Sequence, residues 1–301
     1  MFGTRQQVRA DVDTISVFAE DALNVTSDLI LVGGVRYDRI KLDRSIFNVT
    51  SGATTAYANT YEPFSWRLGA VYSVRPSTQL FVQYSSAVVP VSGLLFISAA
   101  NSAFDLTKGK SVEAGVKTDL FGDRVQLTMS VYHIRQDNIL TRDPNNVNVT
   151  IQGGSQTSTG FETSISAALT ETLQLNLGAA FLDAKFDKLI EAGGANRSGN
   201  RPTNTPEQLA DLTLTWSPKS VPLSFFGAVR YNGKFFMDNA NTVRIAPVTL
   251  FDAGVTWRAG FADISLRGRN LTDRLYAGTG FGNQVELGAP RSVELSISRR
   301  F

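Results

Sequence analysis

The chain has 301 residues, 29 Lys and Arg against 27 Asp and Glu, no cysteine, and 43% hydrophobic residues. This composition excludes a disordered chain, a disulfide framework, a thiol nucleophile and a cysteine metal site. A net charge of +2, with Lys and Arg scattered along the chain, gives no face for nucleic acid, and the longest apolar stretch, near 94–100, is far short of the ~20 residues of a membrane helix.

The first ten residues contain no apolar core and no signal-peptidase site. The chain as written lacks the export signal that its body requires, so we expect a fragment or a truncated reading frame. Residues 1–11 are expected to be unstructured or the start of a strand, and 12–301 to form one β domain. From residue 12 on, polar and apolar residues alternate in about thirteen runs, near 13–23, 29–40, 64–74, 79–88, 111–120, 125–136, 158–169, 172–186, 207–217, 222–235, 247–258, 262–271 and 291–301. In the clearest run Val112, Ala114, Val116, Thr118 and Leu120 share one face and Ser111, Glu113, Gly115, Lys117 and Asp119 the other. Strand side chains alternate with period two, so one face is apolar and the other ionic. The pattern recurs with Val125, Leu127, Met129 and Val131, with Phe251, Ala253, Val255 and Trp257, and with Val293, Leu295 and Ile297. No helical period competes, and the fold class is all-β.

Alternation by itself fits a soluble sandwich as well as a membrane barrel. Three observations favour an antiparallel, up-and-down transmembrane β-barrel. The runs approach the ~9–11 residues that a tilted strand needs to cross a bilayer, beyond the ~5–6 of sandwich strands. The connectors are in turn short and long, as in a meander, an order that Greek-key sandwiches break. Aromatics such as Trp66, Tyr72, Tyr132, Phe161, Trp257 and Phe301 fall towards run ends, where interfacial girdles would lie. With the last strand ending in the periplasm, the joins near 25–28, 75–78, 121–124, 169–172, 217–222 and 259–261 are periplasmic. The segments near 42–62, 89–110, 137–157, 187–206, 236–246 and 272–290 are then extracellular loops, and are rich in Asn, Gly, Ser and Thr.

Several segments resemble the TonB-dependent outer-membrane receptors, and within them the siderophore branch. They are Ser65-Trp66-Arg67-Leu68-Gly69-Ala70-Val71-Tyr72 with Leu80-Phe81-Val82-Gln83-Tyr84-Ser85, then Val112 to Leu120, Thr159-Gly160-Phe161-Glu162, and Arg269-Asn270-Leu271-Thr272-Asp273-Arg274-Leu275-Tyr276, followed by Gly288-Ala289-Pro290-Arg291. Their order and spacing cover nearly the whole chain. The resemblance implies a 22-stranded barrel in the bacterial outer membrane, filled by an N-terminal plug with a TonB box, of which this chain supplies about the last thirteen strands. It implies a protein that is not an enzyme, has no covalent cofactor, and takes up an Fe(III)-siderophore. The implied partners are outer-membrane lipid, the ferric siderophore, and the TonB–ExbB–ExbD complex reached through the plug and TonB box that this chain lacks; the complete receptor is expected to be a monomer. Two unpaired edges in hydrocarbon cost on the order of tens of kcal/mol, so the chain alone is expected to be inert.

No residue set points to catalysis or to a bound metal. His133 is the sole histidine and sits on an apolar face near a strand end, where packing is the simpler role. A barrel enzyme centred on it remains an alternative, as do a passive porin and a TonB-dependent receptor for cobalamin or a sugar. The polar-face charges Glu113, Lys117, Asp119, Arg124, Asp211, Asp252, Arg258, Asp263, Arg267, Arg269 and Glu294 are mixed in sign and read as a lumen that pairs with itself and with a plug. For ligand contact, the resemblance directs attention to loop aromatics and to Arg, which binds anionic chelates. The candidates are Tyr57, Tyr61, Phe96, Phe104, Arg142, Arg197, Arg201, Phe236, Arg244, Tyr276 and Phe281.

Overall fold

The structure is a computed structural model that describes residues 6–89, 104–143, 145–146, 149–281 and 284–299. Its strands in chain order are β1 (Gln6–Asn24), β2 (Leu29–Asn48), β3 (Thr54–Tyr61), β4 (Phe64–Arg75), β5 (Thr78–Val88), β6 (Lys108–Leu120), β7 (Val125–Arg142), β8 (Thr150–Ala168) and β9 (Leu173–Lys188), followed by β10 (Gln208–Trp216), β11 (Leu223–Asn232), β12 (Phe235–Phe236), β13 (Arg244–Ile245), β14 (Val248–Arg258), β15 (Asp263–Arg269), β16 (Ala277–Phe281), β17 (Gln284–Leu287) and β18 (Ser292–Ser298). One sheet runs in the order β1-β2-β4-β5-β6-β7-β8-β9-β10-β11-β14-β15-β18, with β3 added beside β2 as its fourteenth strand. Each strand pairs antiparallel with its neighbour along this path. The thirteen path strands coincide with the thirteen alternating runs.

Among the described residues, β1 and β18 are the two ends of the path and do not pair with each other. Residues 6–11, read as unstructured or a strand start, already pair with β2, from Gln6 opposite Asn48 onwards. Strands also continue into segments read as loops. β2 runs on to Asn48 and is flanked there by β3, while β7 and β8 stay paired out to Arg142 and Thr150. Beyond the bilayer the outward face need not be apolar, so the alternation fades while the hydrogen-bond ladder continues. The segments 236–246 and 272–290 likewise hold short hairpins, β12–β13 and β16–β17.

The register carries the alternation across the sheet. One lateral row links Leu31, Ala70, Val82, Ala114, Val131, Phe161 and Phe181 on seven successive path strands, all on the outward face. Leu31, Val82, Val131 and Phe181 are exposed there, the last two by 55% and 51%. A surface so apolar and open is what lipid covers. Outward aromatics mark both ends of the belt: Trp66 stacks on Tyr84 at 5.2 Å between centroids towards the long loops, and Trp216 on Phe225 at 5.5 Å towards the short joins. Tyr132 does not belong to these girdles. It is opposite Glu113 on the inner face, one residue out of step with Val131 and His133. Phe301 is outside the described residues.

Inner aromatics lie over glycines of the next strand. A Cβ on Gly160 would fall 2.5 Å from the Tyr132 ring, and one on Gly115 the same distance from that of Phe81. The only apolar core cluster among the described residues, Ile40, Leu42, Tyr61 and Leu106, sits at the long-loop end under β2 and β3. At the opposite end Arg124 donates to the carbonyls of Ala168 at 3.1 Å and Leu169 at 2.6 Å, closing the β8–β9 join. Replacing Gly160 by Val is expected to destabilise the folded chain by about 1–3 kcal/mol through overpacking against Tyr132. Gly227→Ala, at a glycine with nothing within 4 Å of the added carbon, is the control and should be near neutral. The urea midpoint for unfolding from lipid vesicles measures both.

Candidate ligand-binding rim

The long-loop end is built as two separate groups of side chains. The first stands on β2 and β3, where the sheet rises past the apolar belt. Register places Tyr57 opposite Arg44; the Arg44 guanidinium donates to the Tyr57 hydroxyl at 2.9 Å and lies 5.9 Å from the ring centroid. Eight residues back along β2, Arg36 holds Asp38 at 2.8 Å, and Ser16 donates to the same carboxylate at 2.5 Å. Tyr61 is only 6% exposed and packs on Ile40, Leu42 and Leu106, so it is a core residue rather than a contact surface. Phe104 is half-buried in the segment leading into β6. Phe96 is outside the described residues.

The second group ties three loops together through asparagine. Asn200 donates to the carbonyl of Asn239 at 2.8 Å, Asn241 bridges the backbone of Arg201 at 2.8 and 2.9 Å, and Asn239 donates to Glu191 at 2.9 Å. Asn204 reaches the third loop, donating to the Gly280 carbonyl at 2.8 Å and accepting its N–H at 2.9 Å. The Asn204 N–H is accepted by Phe236 at 2.8 Å. Asn204 and Asn241 have φ of 54° and 59°, a left-handed backbone that Asn tolerates better than most residues. Amides suit this task because each supplies two donors and an acceptor that bind a backbone in both senses. In the sequence these asparagines are indistinguishable from generic loop residues. Their partners lie about forty or more positions away, and local pattern carries no such signal.

Five of the eleven predicted contact residues belong to this layer. Arg197 pairs with Glu191 at 2.8 Å. Arg201 is 10% exposed, pairs with Asp183 at 3.2 Å and Glu207 at 3.9 Å, and keeps one terminal nitrogen, Nη1, buried without a hydrogen-bond partner. Arg142 donates to the Thr150 hydroxyl, and its N–H is accepted by Ile190 at 2.8 Å. Phe236 and Arg244 are directly opposite in the β12–β13 hairpin, Phe236 half-buried and Arg244 exposed. Tyr276 is half-buried over Gly288, and Phe281 is the last residue of β16. The structure therefore gathers Arg197, Arg201, Phe236, Arg244 and Tyr276 along one layer and sets Tyr57 apart from it.

Below the rim the inner wall carries carboxylates. Glu113, Glu162 and Asp211 line a recess of about 440 Å³ with Thr128, Ser130 and Ser164. None of the three has a basic partner within ion-pair distance among the described residues. Other polar-face charges do pair within the wall: Arg230 with Asp252 at 2.9 Å and Arg269 with Glu294 at 3.4 Å. His133 points outward, its Nδ1 2.8 Å from the Thr159 hydroxyl.

Two carboxylates of the asparagine-tied loops are shifted. Burial pushes Glu191 up, but the hydrogen bonds from Arg197 and Asn239 and the charge of Arg197 outweigh it and leave the carboxyl below its ordinary value. Burial also raises Asp238, against the Thr242 hydroxyl and the N–H groups of Val243 and Thr242, with the same net lowering. A carboxyl lowered by folding contributes stability above its unfolded pKa and loses it as pH falls through the folded value. Acidification from pH 7 to about 3 is thus expected to loosen loops 189–206 and 233–247 ahead of the strands. Hydrogen exchange corrected for intrinsic rate should show it, and Glu191→Gln should reproduce part of the loosening at pH 7.

The comparisons with known proteins agree with this architecture. A sequence profile described as TonB dependent receptor-like, beta-barrel, matches residues 2–271. The metal-pseudopaline receptor CntO of Pseudomonas aeruginosa is 27% identical over 308 residues, covering 100% of this chain and 42% of its own length. The ferrichrome outer membrane transporter/phage receptor of Escherichia coli K12 is also 27% identical, over 95% of this chain and 38% of its own. Among solved structures, the siderophore receptor PiuA of Acinetobacter baumannii superimposes with a TM-score of 0.86 at 21% identity, over 97% of this chain and 44% of that one. The closed form of the ferric-catecholate import receptor Fiu of E. coli K12 gives 0.82 at 21% identity, over 98% and 45%. The chain spans less than half the length of these relatives. It belongs to the TonB-dependent receptor β-barrel family, and its strands form part of an outer-membrane barrel wall.

Proposed function

We propose that this chain forms the wall and outer rim of a receptor that takes up a ferric siderophore through the outer membrane, driven by TonB and its ExbB–ExbD partners. The observation that carries this reading is the inner wall. Glu113, Glu162 and Asp211 line one recess of the lumen, Glu162 and Asp211 exposed and Glu113 half-buried, and none has a basic partner within ion-pair distance among the described residues, so the recess carries a local excess of negative charge. Such a recess suits a basic plug seated inside the barrel, and that complementarity is what favours a plugged receptor over an open pore. The relatives' names support the ligand class, since they include receptors for ferrichrome and ferrioxamine and a catecholate siderophore receptor. The ligand binds and is released unchanged, so the receptor performs no chemistry on it, and iron is cargo.

The rim offers Arg244, Phe236 and Tyr57 as direct contacts. Arg197, Arg201 and Arg142 act chiefly by holding the loops, since their guanidinium groups already have partners. Deletion of the reading frame should abolish growth on the cognate ferric chelate under iron limitation and uptake of ⁵⁵Fe from it. Uptake that persists without TonB would instead indicate a passive channel. Arg244→Ala should weaken binding of an anionic chelate about tenfold or more, the scale of one lost charge-assisted contact. Glu113→Gln with Glu162→Gln should leave chelate affinity at the rim unchanged and admit large antibiotics that the parent excludes, read as a fall in their inhibitory concentration.

A further inference from the structure

At the long-loop end, four side chains make one kind of contact. Each donates to the C=O and accepts from the N–H of a single residue in another segment. Gln152 of β8 does so with Asp105, both bonds being 2.7 Å. Thr141 of β7 does so with Ile190, at 3.1 and 2.7 Å. Asn241 treats Arg201 in the same way, and Asn204 treats Gly280. Two residues of an antiparallel pair exchange their bonds likewise, and a hydroxyl or an amide carries the donor and the acceptor that this requires.

The four clamps are linked in series. Leu106, next to Asp105, packs on Ile40, Leu42 and Tyr61, which joins the first clamp to β2 and β3. Gln152 also donates to the carbonyl of Asn138 at 3.3 Å, so this clamp closes on β7 as well. Further along β7, Thr141 holds Ile190, and the Arg142 N–H adds a bond to the same carbonyl at 2.8 Å. Glu191, the next residue, accepts from Asn239 at 2.9 Å. Asn241 and Asn204 then carry the contacts to Arg201 and Gly280. One arc of polar contacts thus runs from β3 to β16 and joins the two groups of the rim. At the opposite end, neighbouring joins meet through backbone bonds, such as Ser73 to Asp28 at 2.7 Å and Ser217 to Thr172 at 2.8 Å.

A segment tied on both sides opens only by breaking two clamps, whereas segments that open together lose each shared clamp once. Thr141 is only 3% exposed, so a clamp broken there alone leaves its hydroxyl with no water to replace Ile190. Opening is therefore cheapest as a single event. We propose that segments 104–107, 189–206, 236–246 and 277–281, with the outer parts of β7 and β8, order and open as one cooperative unit, for which Gln152, Thr141, Asn241 and Asn204 are positioning residues. A chelate held by Arg244 on one part of the arc then also stiffens the β2–β3 corner that carries Tyr57. That consequence rests on the receptor reading; the cooperative unit itself does not.

Hydrogen exchange of the full chain in detergent micelles, under conditions where the rate follows the opening equilibrium, tests this without any chelate. The N–H groups of Asp105, Ile190, Arg201 and Gly280 report on the clamps directly, since each donates to a clamp side chain. Thr141→Val, which removes both bonds of one clamp, should speed exchange about tenfold or more at Ile190 and equally at Asp105, Arg201 and Gly280. Thr141→Ser keeps the hydroxyl and should stay within about threefold of the parent. Thr170→Val removes a hydroxyl that accepts from Thr172 and Leu173 at the short-join end, and should leave all four amides unchanged. Faster exchange confined to Ile190 after Thr141→Val, or an equal rise at the four amides after Thr170→Val, would overturn the proposal. Should Thr141→Val fail to fold, Gln152→Ala decides: it should speed exchange at Gly280, at the far end of the arc, and an unchanged Gly280 would sink the idea.

Discussion

Hydrocarbon offers no hydrogen-bond partner, so each backbone N–H and C=O that enters the bilayer has to find one in a neighbouring strand. The long antiparallel ladders of this wall answer that demand, from Gln6 opposite Asn48 at one end of the path to Arg269 opposite Ser292 at the other. Once the backbone is satisfied in this way, side chains have only two directions. Those facing out meet lipid and are apolar through the belt; those facing in are free to be ionic. Loops and turns are placed by the same constraint, because a strand must finish crossing before the chain can reverse irregularly.

Inside the wall the packing is unlike that of a soluble core. Aromatic rings reach over glycines of the adjacent strand, as Tyr132 does over Gly160 and Phe81 over Gly115, which packs neighbouring strands together without filling the lumen. The space left is lined by charges. Some are matched within the wall, such as Arg230 with Asp252, and others, such as Glu113 and Glu162, have no basic partner within ion-pair distance among the described residues. The rim follows a third rule. There the asparagines tie distant loops by paired backbone contacts, so that Arg201 is positioned by Asn241 as much as by its own carboxylate partners.

Within the belt the fold was legible because lipid imposes a period of two on every strand; Val112 to Leu120 shows it residue by residue. It was not legible where lipid stops. Leu42 to Asn48 on β2, Thr54 to Tyr61 on β3, and residues 137–142 of β7 and 150–157 of β8 are strands without a membrane pattern, so the alternation marks them as loop. Nearness to a run end suggests a girdle position for Tyr132, but its step from Val131 puts it on the polar face opposite Glu113. The site was less readable still. Arg244 is exposed and Tyr57 half-buried, but Tyr61 is in the core. Arg197 and Arg201 are held by carboxylates at 191, 183 and 207, pairings that follow from how loops fold over one another and not from any local run.

The continuation of β1 and β2 past the belt has a consequence for what the cell shows to its surroundings. A twenty-residue strand is about 66 Å long, roughly twice what a tilted crossing uses. Its outer half, paired on both sides with β1 and β3 and studded with alternating Arg, Lys and Asp, stands clear of the head groups as a hydrogen-bonded ridge rather than a loop. A large particle or antibody arriving from outside therefore meets a fixed, ordered shape at this corner of the rim. Recognition there requires little ordering of the ridge itself, so a binder selected against the folded chain should not recognise the same residues as a linear peptide.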